Sequence, residues 1–112
     1  MKFGPEIEQF VEEVVNSFTK WELIKFFHEN PFTFDTAERL AKHLGRKETE
    51  VKQAAEELKK SGLLRNGSIP GEYSFTEDEQ KQKLVKKLVQ LCADRTNRLF
   101  LASKILKEET KK

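Results

Sequence analysis

The sequence has few of the residues that form disulfides, metal sites or membrane spans. Its one cysteine, Cys92, has no second thiol with which to form an internal disulfide or a metal site, so we expect a small buried residue on a helix. No apolar run approaches the length of a bilayer-spanning helix, and the amino terminus lacks the basic, apolar and small-residue pattern of a signal peptide. We therefore expect a cytoplasmic protein that does not enter a membrane.

Sequence motifs of catalysis are also missing. Neither of the two histidines, His28 and His43, stands at metal-ligand spacing from another histidine or from a cysteine. There is no glycine-rich phosphate loop, nucleophile elbow or paired-carboxylate motif, and no cofactor signature. The sequence therefore predicts a protein that is not an enzyme and that has no cofactor or metal. A small-molecule effector bound between the aromatic amino-terminal helices and the carboxy-terminal helices stays open.

What the sequence does have is charge and phenylalanine. Of its 112 residues, 37% are hydrophobic and 36% are charged, which predicts a single compact domain over residues 1–112 with long polar helix faces. The net charge is only +2, but it is unevenly distributed: residues 1–34 carry three basic and six acidic side chains, whereas residues 77–112 carry ten and six. Any attraction to phosphate therefore has to come from local clusters.

The clearest pattern lies in residues 35–64. Apolar residues recur there at the three-to-four spacing of one helix face, in two sets separated by Gly45. The members of the sets are Ala37, Leu40, Ala41 and Leu44, and then Val51, Ala54, Ala55 and Leu58. This pattern predicts two helices joined by a glycine turn. Asp35 is the expected cap of the first, in a capping box with the glutamate three residues on, and the second should end at Ser61-Gly62.

A hairpin is predicted directly after these helices. Two short apolar-polar alternations flank the turn-rich segment NGSIPGE, residues 66–72. Before the two helices, another helix is expected to begin with Thr19 as its cap and to stop at Pro31, because proline cannot continue it. The extended segment 32–34 could then pair with the hairpin as a short third strand.

This order of helix, glycine turn, helix and hairpin, over roughly residues 19–76, resembles the winged helix-turn-helix superfamily, and its most specific part is residues 40–64. The superfamily is the fold of many small bacterial and archaeal transcription regulators. The resemblance implies a mostly α fold with a small β-hairpin wing. It also implies a sequence-specific regulator that binds double-stranded DNA, with a recognition helix at about 47–61 in the major groove and the wing at about 63–76 on the backbone or minor groove. The same scaffold also serves in modules that bind only proteins, and this alternative stays open.

The helix rotation assigns candidate contacts. If Val51, Ala55 and Leu58 face the core, the opposite face of that helix would meet DNA. The residues expected to contact bases are Thr49, Lys52, Gln53 and Glu56. Those expected to contact the DNA backbone are Thr36, Arg46, Lys47, Lys60, Arg65, Asn66 and Ser68. The lysines and glutamates of this helix balance in charge, a composition that is equally typical of a solvated surface helix.

The flanking segments predict further helices and an oligomer. Residues 5–18 form an amphipathic helix that would cover either this chain's own core or a partner subunit. With Thr76 as its expected cap, the segment 77–107 has no proline or glycine and predicts one helix of about thirty residues, or two if the polar residues 94–98 break it. We expect a homodimer through residues 80–106. Its expected interface residues are Leu84, Leu88, Leu91, Leu99, Ala102 and Leu106.

Overall fold

The protein is mostly helical with one small sheet. A computed structural model describes residues 3–111, in which six helices accompany a three-stranded antiparallel sheet with strand order β1-β3-β2. The elements are α1 Pro5–Glu13, α2 Phe18–Glu29, β1 Phe34–Thr36, α3 Ala37–Leu44, α4 Glu48–Lys60, β2 Leu64–Asn66, β3 Glu72–Phe75, α5 Glu79–Leu91 and α6 Arg95–Thr110. The predicted helix-rich fold with a hairpin is confirmed at this level. No helix of the described residues is long and apolar enough to cross a bilayer.

A continuous hydrophobic core runs through all six helices. Its largest fully buried side chains include Ile7 of α1, Phe27 of α2, Leu40 of α3, Leu58 of α4, Leu88 of α5 and Ile105 of α6. Burial of each such side chain contributes about 1.5–3 kcal/mol to stability. Ile7, Val11 and Val15 are inaccessible to solvent, so α1 covers the core of its own chain.

Glycines close the two central helices as predicted. Gly45 adopts a left-handed conformation (φ 70°) at the end of α3, and the amides of Gly45 and Arg46 both donate to the Ala41 carbonyl. At the end of α4, Gly62 has φ 85° and the Leu63 amide donates to the Leu58 carbonyl at 2.9 Å, the bond of a Schellman motif. The positions of both turns are therefore set by glycine.

The predicted hairpin is confirmed, and a third strand joins it. Within the hairpin, Leu64 pairs with Phe75 and Asn66 with Tyr73. On the other edge of β3, Phe34 pairs with Ser74, so the third strand begins where the expected extended segment ends. Phe32 precedes the strand and is 91% exposed.

Two predicted caps are wrong because both helices begin later than predicted. Asp35 lies within β1, and Thr36 caps α3 by accepting a hydrogen bond from the Arg39 amide. Thr76 continues from β3, with its amide bonded to the Leu63 carbonyl at 2.9 Å. Helix α5 therefore starts later than predicted, with Asp78 as its cap.

The cap predicted for α2 and the predicted end of α1 are also wrong. Helix α1 ends at Glu13 rather than at the predicted residue 18, because the amides of Val14 and Val15 both donate to the Phe10 carbonyl. The short connection that follows places Ser17, rather than Thr19, at the N-cap of α2, where its hydroxyl accepts from the Lys20 amide at 3.2 Å.

The carboxy-terminal segment forms two helices, which settles the alternative that the sequence left open. Asp94 caps α6 by accepting from the Asn97 amide at 3.1 Å. The Asn97 side chain donates to the Leu91 carbonyl at 2.8 Å, and Arg98 donates to the carbonyls of Cys92 and Ala93. The polar segment thus satisfies the open carbonyls at the end of α5.

One of the expected interface residues belongs to the core. Leu88 has no solvent-accessible surface, because its side chain packs inside its own chain, so its assignment to a dimer interface is wrong. Leu84, Leu91 and Ala102 are partly buried, whereas Leu99 and Leu106 are 61% and 56% exposed.

Candidate nucleic-acid interface

Helix α4 presents one apolar and one polar face. Its buried face consists of Val51, Ala54, Ala55 and Leu58. Its exposed face, called the outer face here, consists of Thr49, Lys52, Gln53, Glu56 and Lys60. The four residues expected to contact bases therefore all lie on the outer face.

The flank of α4 that faces α2 is held by Arg46. Its Nε and Nη2 donate to the two carboxylate oxygens of Glu22 at 2.8 and 3.0 Å, and its Nη1 donates to Glu50 at 2.8 Å. The Thr19 hydroxyl donates to the same Glu50 oxygen. These bonds raise the pKa of Arg46 and lower the pKa of Glu50. The Arg46 side chain is thus bonded to α2 and α4 and lies away from the outer face. The sequence had predicted that it contacts the DNA backbone.

A second glutamate on this flank is also paired. Lys20 of α2 is buried, and its ammonium lies 2.5 Å from a carboxylate oxygen of Glu57 and donates to Asn16 at 2.9 Å. Two of the acidic side chains of α4 are therefore balanced by cations that the rest of the chain supplies.

The other flank of α4 is joined to the hairpin. The Tyr73 hydroxyl donates to Glu56 Oε2 at 2.5 Å, and Lys59 Nζ lies 3.4 Å from Glu56 Oε1. Lys59 also donates to Asn66 Oδ1 at 3.2 Å. The bond from Tyr73 lowers the pKa of Glu56, and burial together with this bond raises the pKa of Tyr73. Both oxygens of Glu56 thus have partners within the protein, and these bonds join α4 to the hairpin.

Sequence reasoning missed Tyr73 and Lys59. Tyr73 is the only tyrosine of the chain, and a buried tyrosine hydroxyl needs a partner, which is the one signal that the sequence offered. Its partner lies 17 positions away, on an element whose distance from β3 only the fold determines.

Three lysines are left on or beside the outer face. Among residues 3–111, no ion pair includes Lys47, Lys52 or Lys60. Gln53 donates to a Glu57 oxygen at 3.3 Å and keeps its amide oxygen as an acceptor. With three of the four glutamates of α4 engaged, the charge that the outer face presents to an approaching molecule is positive at these lysines.

The hairpin residues divide between the two faces of the sheet. Side chains alternate along a strand, so Asn66, paired with Tyr73, lies on the face toward α4, and Arg65 lies on the opposite face. Arg65 donates to the Phe75 carbonyl at 3.2 Å and stands 3.7 Å from Glu77. The structure therefore brings Asn66 beside α4 and directs Arg65 away from it.

Two further residues expected at the DNA backbone lie at turns. Thr36 is half-buried at the start of α3, where its hydroxyl acts as the helix cap. Ser68 is exposed in the loop of the hairpin, and its amide donates to Glu72 at 3.2 Å. Ser68 therefore keeps its hydroxyl exposed, whereas the Thr36 hydroxyl already accepts a hydrogen bond.

The candidate interface is thus a surface of lysine, amide and hydroxyl groups. Within residues 3–111, no group of three or more His, Cys, Asp or Glu side chains is placed to hold a metal ion. Polar donors of this kind suit phosphate oxygens and base edges. Comparison with known proteins finds no family model, no curated protein and no solved structure that matches this chain.

Proposed function

We propose that this chain is a winged helix-turn-helix protein that binds double-stranded DNA as a sequence-specific, cytoplasmic transcription regulator. The observation that carries the proposal is the distribution of charge on α4. Glu50, Glu56 and Glu57 are held by groups of the protein itself, whereas Lys47, Lys52 and Lys60 have no ion-pair partner among residues 3–111. A helix of balanced composition thereby offers unpaired cations to phosphate.

The dimensions of α4 suit the major groove. Its 13 residues span about 20 Å, and the groove is about 12 Å wide. Lys47 and Lys60 stand at its two ends, where they can contact the phosphates of the two strands that border the groove. Lys52 and Gln53 lie between them and read base edges, with the Gln53 amide suited to a bidentate contact with adenine. Thr49 contacts a phosphate or a thymine methyl group.

The hairpin acts as the wing in this proposal, and its orientation relative to α4 is fixed before DNA binds. Tyr73 and Lys59 fix that orientation through Glu56 and Asn66. Asn66 and Ser68 are the wing residues that contact the DNA backbone. Arg65 and Arg46 have intramolecular roles, so they are left out of the proposed contacts.

The proposal is tested by fluorescence anisotropy with mixed-sequence duplex DNA, between about 50 and 200 mM salt. We expect micromolar binding that weakens steeply with salt. Lys47→Ala and Lys60→Ala should each weaken binding to every sequence and reduce the salt slope by about 1. Gln53→Ala should relax base preference once an operator has been selected.

The matched control is Lys83→Ala. Lys83 is an exposed lysine on α5 that likewise takes part in no ion pair of the described residues, so its loss changes the net charge equally. This control variant should bind DNA almost as well as the unmodified protein. If no binding is measured at the lowest salt, or if Lys83→Ala has the same effect as Lys60→Ala, the proposed interface is wrong.

One observation favours a second candidate, a winged-helix module that binds another protein. Phe32 is 91% exposed, and Phe34 of the adjoining strand and Ile69 of the hairpin loop are also exposed. Exposed aromatic residues are typical anchors of protein interfaces. This candidate predicts no DNA affinity above background and a co-purifying protein that Phe32→Ala releases.

A further inference from the structure

A cavity between α2, α5 and α6 is lined mainly by apolar side chains. Its volume is about 380 Å³, and its walls include Trp21, Val89, Leu101 and Ile105. An apolar cavity of about 150 Å³ already binds benzene, and small-molecule sites occupy about 300–1,000 Å³. The cavity is therefore large enough for a small organic ligand.

Two cations border this cavity, and no acidic side chain lines it. The Lys25 ammonium lies 5.4 Å from the centre of the Trp21 ring. Arg98 is held in place by its Nη1, which donates to the Cys92 and Ala93 carbonyls at 3.1 and 3.0 Å. Its Nε and Nη2 make no hydrogen bond to the described residues, so they keep three N–H donors.

The positive charges of these two side chains are also not neutralised by an ion pair. Within the described part of the chain, neither Lys25 nor Arg98 takes part in an ion pair. Cys92 lines the same cavity. Burial raises the pKa of its thiol, and the positive charges of Lys25 and Arg98 act to lower that pKa. Positive charge at the mouth of an apolar cavity without a carboxylate favours a ligand that combines an apolar body with an anionic end.

We propose that this cavity binds a small organic acid, whose carboxylate is bound by Arg98 and Lys25 and whose apolar body packs against Trp21 and Val89. The inference goes beyond the proposed DNA binding and does not depend on it. The chemical class of the ligand follows from the residues that line the cavity. The apolar side chains favour an apolar ligand body, and the two cations favour a carboxylate over an alcohol or an amine.

The test compares octanoate with 1-octanol at pH 7, because the two have the same chain length and differ in charge. Trp21 is the only tryptophan, so its fluorescence reports on the cavity. We expect both compounds to change this fluorescence and octanoate to bind about tenfold more tightly, the gain of one charge-assisted hydrogen bond. Lys25→Gln and Arg98→Gln should each reduce octanoate affinity toward that of octanol, without changing octanol affinity.

Two control variants separate a specific charge effect from a change in net charge or a loss of folding. Lys83→Gln removes an exposed lysine elsewhere and should leave both affinities unchanged. Because Arg98 also bonds to the end of α5, Lys25→Gln provides the charge test if Arg98→Gln does not fold. As an independent readout, octanoate should slow the reaction of Cys92, the only cysteine, with a thiol reagent.

Equal binding of octanoate and octanol would overturn the proposal, as would unchanged Trp21 fluorescence with both compounds. Retention of the octanoate preference in Lys25→Gln and Arg98→Gln would also overturn it. DNA affinity is measured separately and without octanoate, so failure of the DNA proposal and failure of this one are distinguishable.

Discussion

Tyr73 shows how a single side chain determines the geometry of the candidate interface. It is buried in the sheet, and its hydroxyl reaches a glutamate on the flank of α4. A hydrogen bond to a charged acceptor contributes about 1.5–3 kcal/mol, and an acceptor that is partly exposed to water, as Glu56 is, gives the lower end or less. The orientation of the hairpin relative to α4 therefore depends in part on this bond, which acts beside the bond from Lys59 to Asn66.

Tyr73→Phe should lower the free energy of unfolding by about 1 kcal/mol at pH 7. The bond from Tyr73 lowers the pKa of Glu56 in the folded protein. Its stabilisation is therefore present above the ordinary glutamate pKa of about 4.3 and is lost as the pH falls through the lower pKa of the folded state. Urea denaturation at pH 7 and at about pH 3 should show the difference between the two proteins shrinking in acid.

The control for this prediction is a double-mutant cycle with Glu56→Ala. The two changes remove the same bond, so the double variant should lose less stability than the two single variants together. Additive losses, or a Tyr73→Phe effect that is the same at both pH values, would show that the bond is not the source of the stabilisation.

At the residue scale, the sequence predicted which side chains are exposed better than it predicted which side chains bond to each other. The apolar periodicity correctly placed Lys52 and Gln53 on the outer face of α4, because helix rotation is a local property. It could not assign Arg46, whose main partner Glu22 is 24 positions away, or Glu56, whose partner is on β3. The partners of these long charged side chains are distant in the sequence and become neighbours only in the folded protein.

At the scale of elements, α2 and α4 are connected by an arginine. Arg46 makes a bidentate ion pair with Glu22, and its side chain is only 27% exposed. Arg39 of α3 offers a matched comparison, since it is 71% exposed and lies 3.8 Å from Asp35. The contribution of an ion pair increases with burial and bidentate geometry, so the two arginines should differ in effect.

Arg46→Ala should lower the free energy of unfolding by about 1–2 kcal/mol, whereas Arg39→Ala should lower it by less than about 0.5 kcal/mol. Chemical denaturation of both variants measures this difference. In the anisotropy assay, Arg46→Ala should keep the salt slope of the unmodified protein. A slope reduced by about 1 with stability unchanged would instead place Arg46 at a phosphate.

Element types were more predictable than their ends. Glycine turns and apolar periodicity identified α3, α4 and the hairpin, because these signals are local. The caps at Asp35 and Thr76 were misplaced because the extended chain continues past each of them before the helix begins, and no local pattern shows how far a short strand continues. The polar segment 94–98 did indicate the break between α5 and α6. Its side chains bond to backbone groups that have no helical partner at the end of α5 and the start of α6.

At the scale of the whole molecule, residues 3–111 leave two leucines of α6 exposed, Leu99 and Leu106. Leu99 and Leu106 are seven residues apart and therefore lie on the same side of the helix, with Ala102 between them. This side fits the proposed homodimer, in which a second copy covers the two leucines. The sequence alone did not separate these residues from Leu88 of α5, because an apolar helix face has the same pattern whether its own chain or a second copy covers it.

The double variant Leu99→Glu and Leu106→Glu should be a monomer by light scattering at micromolar concentration, while the unmodified protein should be a dimer. The helical circular dichroism of the variant should be unchanged, because both side chains are exposed. Leu88→Ala is the contrasting change and should lower stability by about 2–5 kcal/mol, the range for truncation of a buried leucine. A monomeric unmodified protein would rule out the dimer.

The first and last helices of the described chain are joined. Lys104 of α6 lies 3.2 Å from Glu8 of α1, and Glu109 accepts a hydrogen bond from the Phe18 amide at the start of α2. On the ribosome, α1 therefore emerges early but must wait for α6 before its packing is complete. The helices and hairpin between them can form their mutual contacts before α6 is synthesised, so synthesis would assemble the proposed DNA-binding surface before it closes the cavity beneath α6.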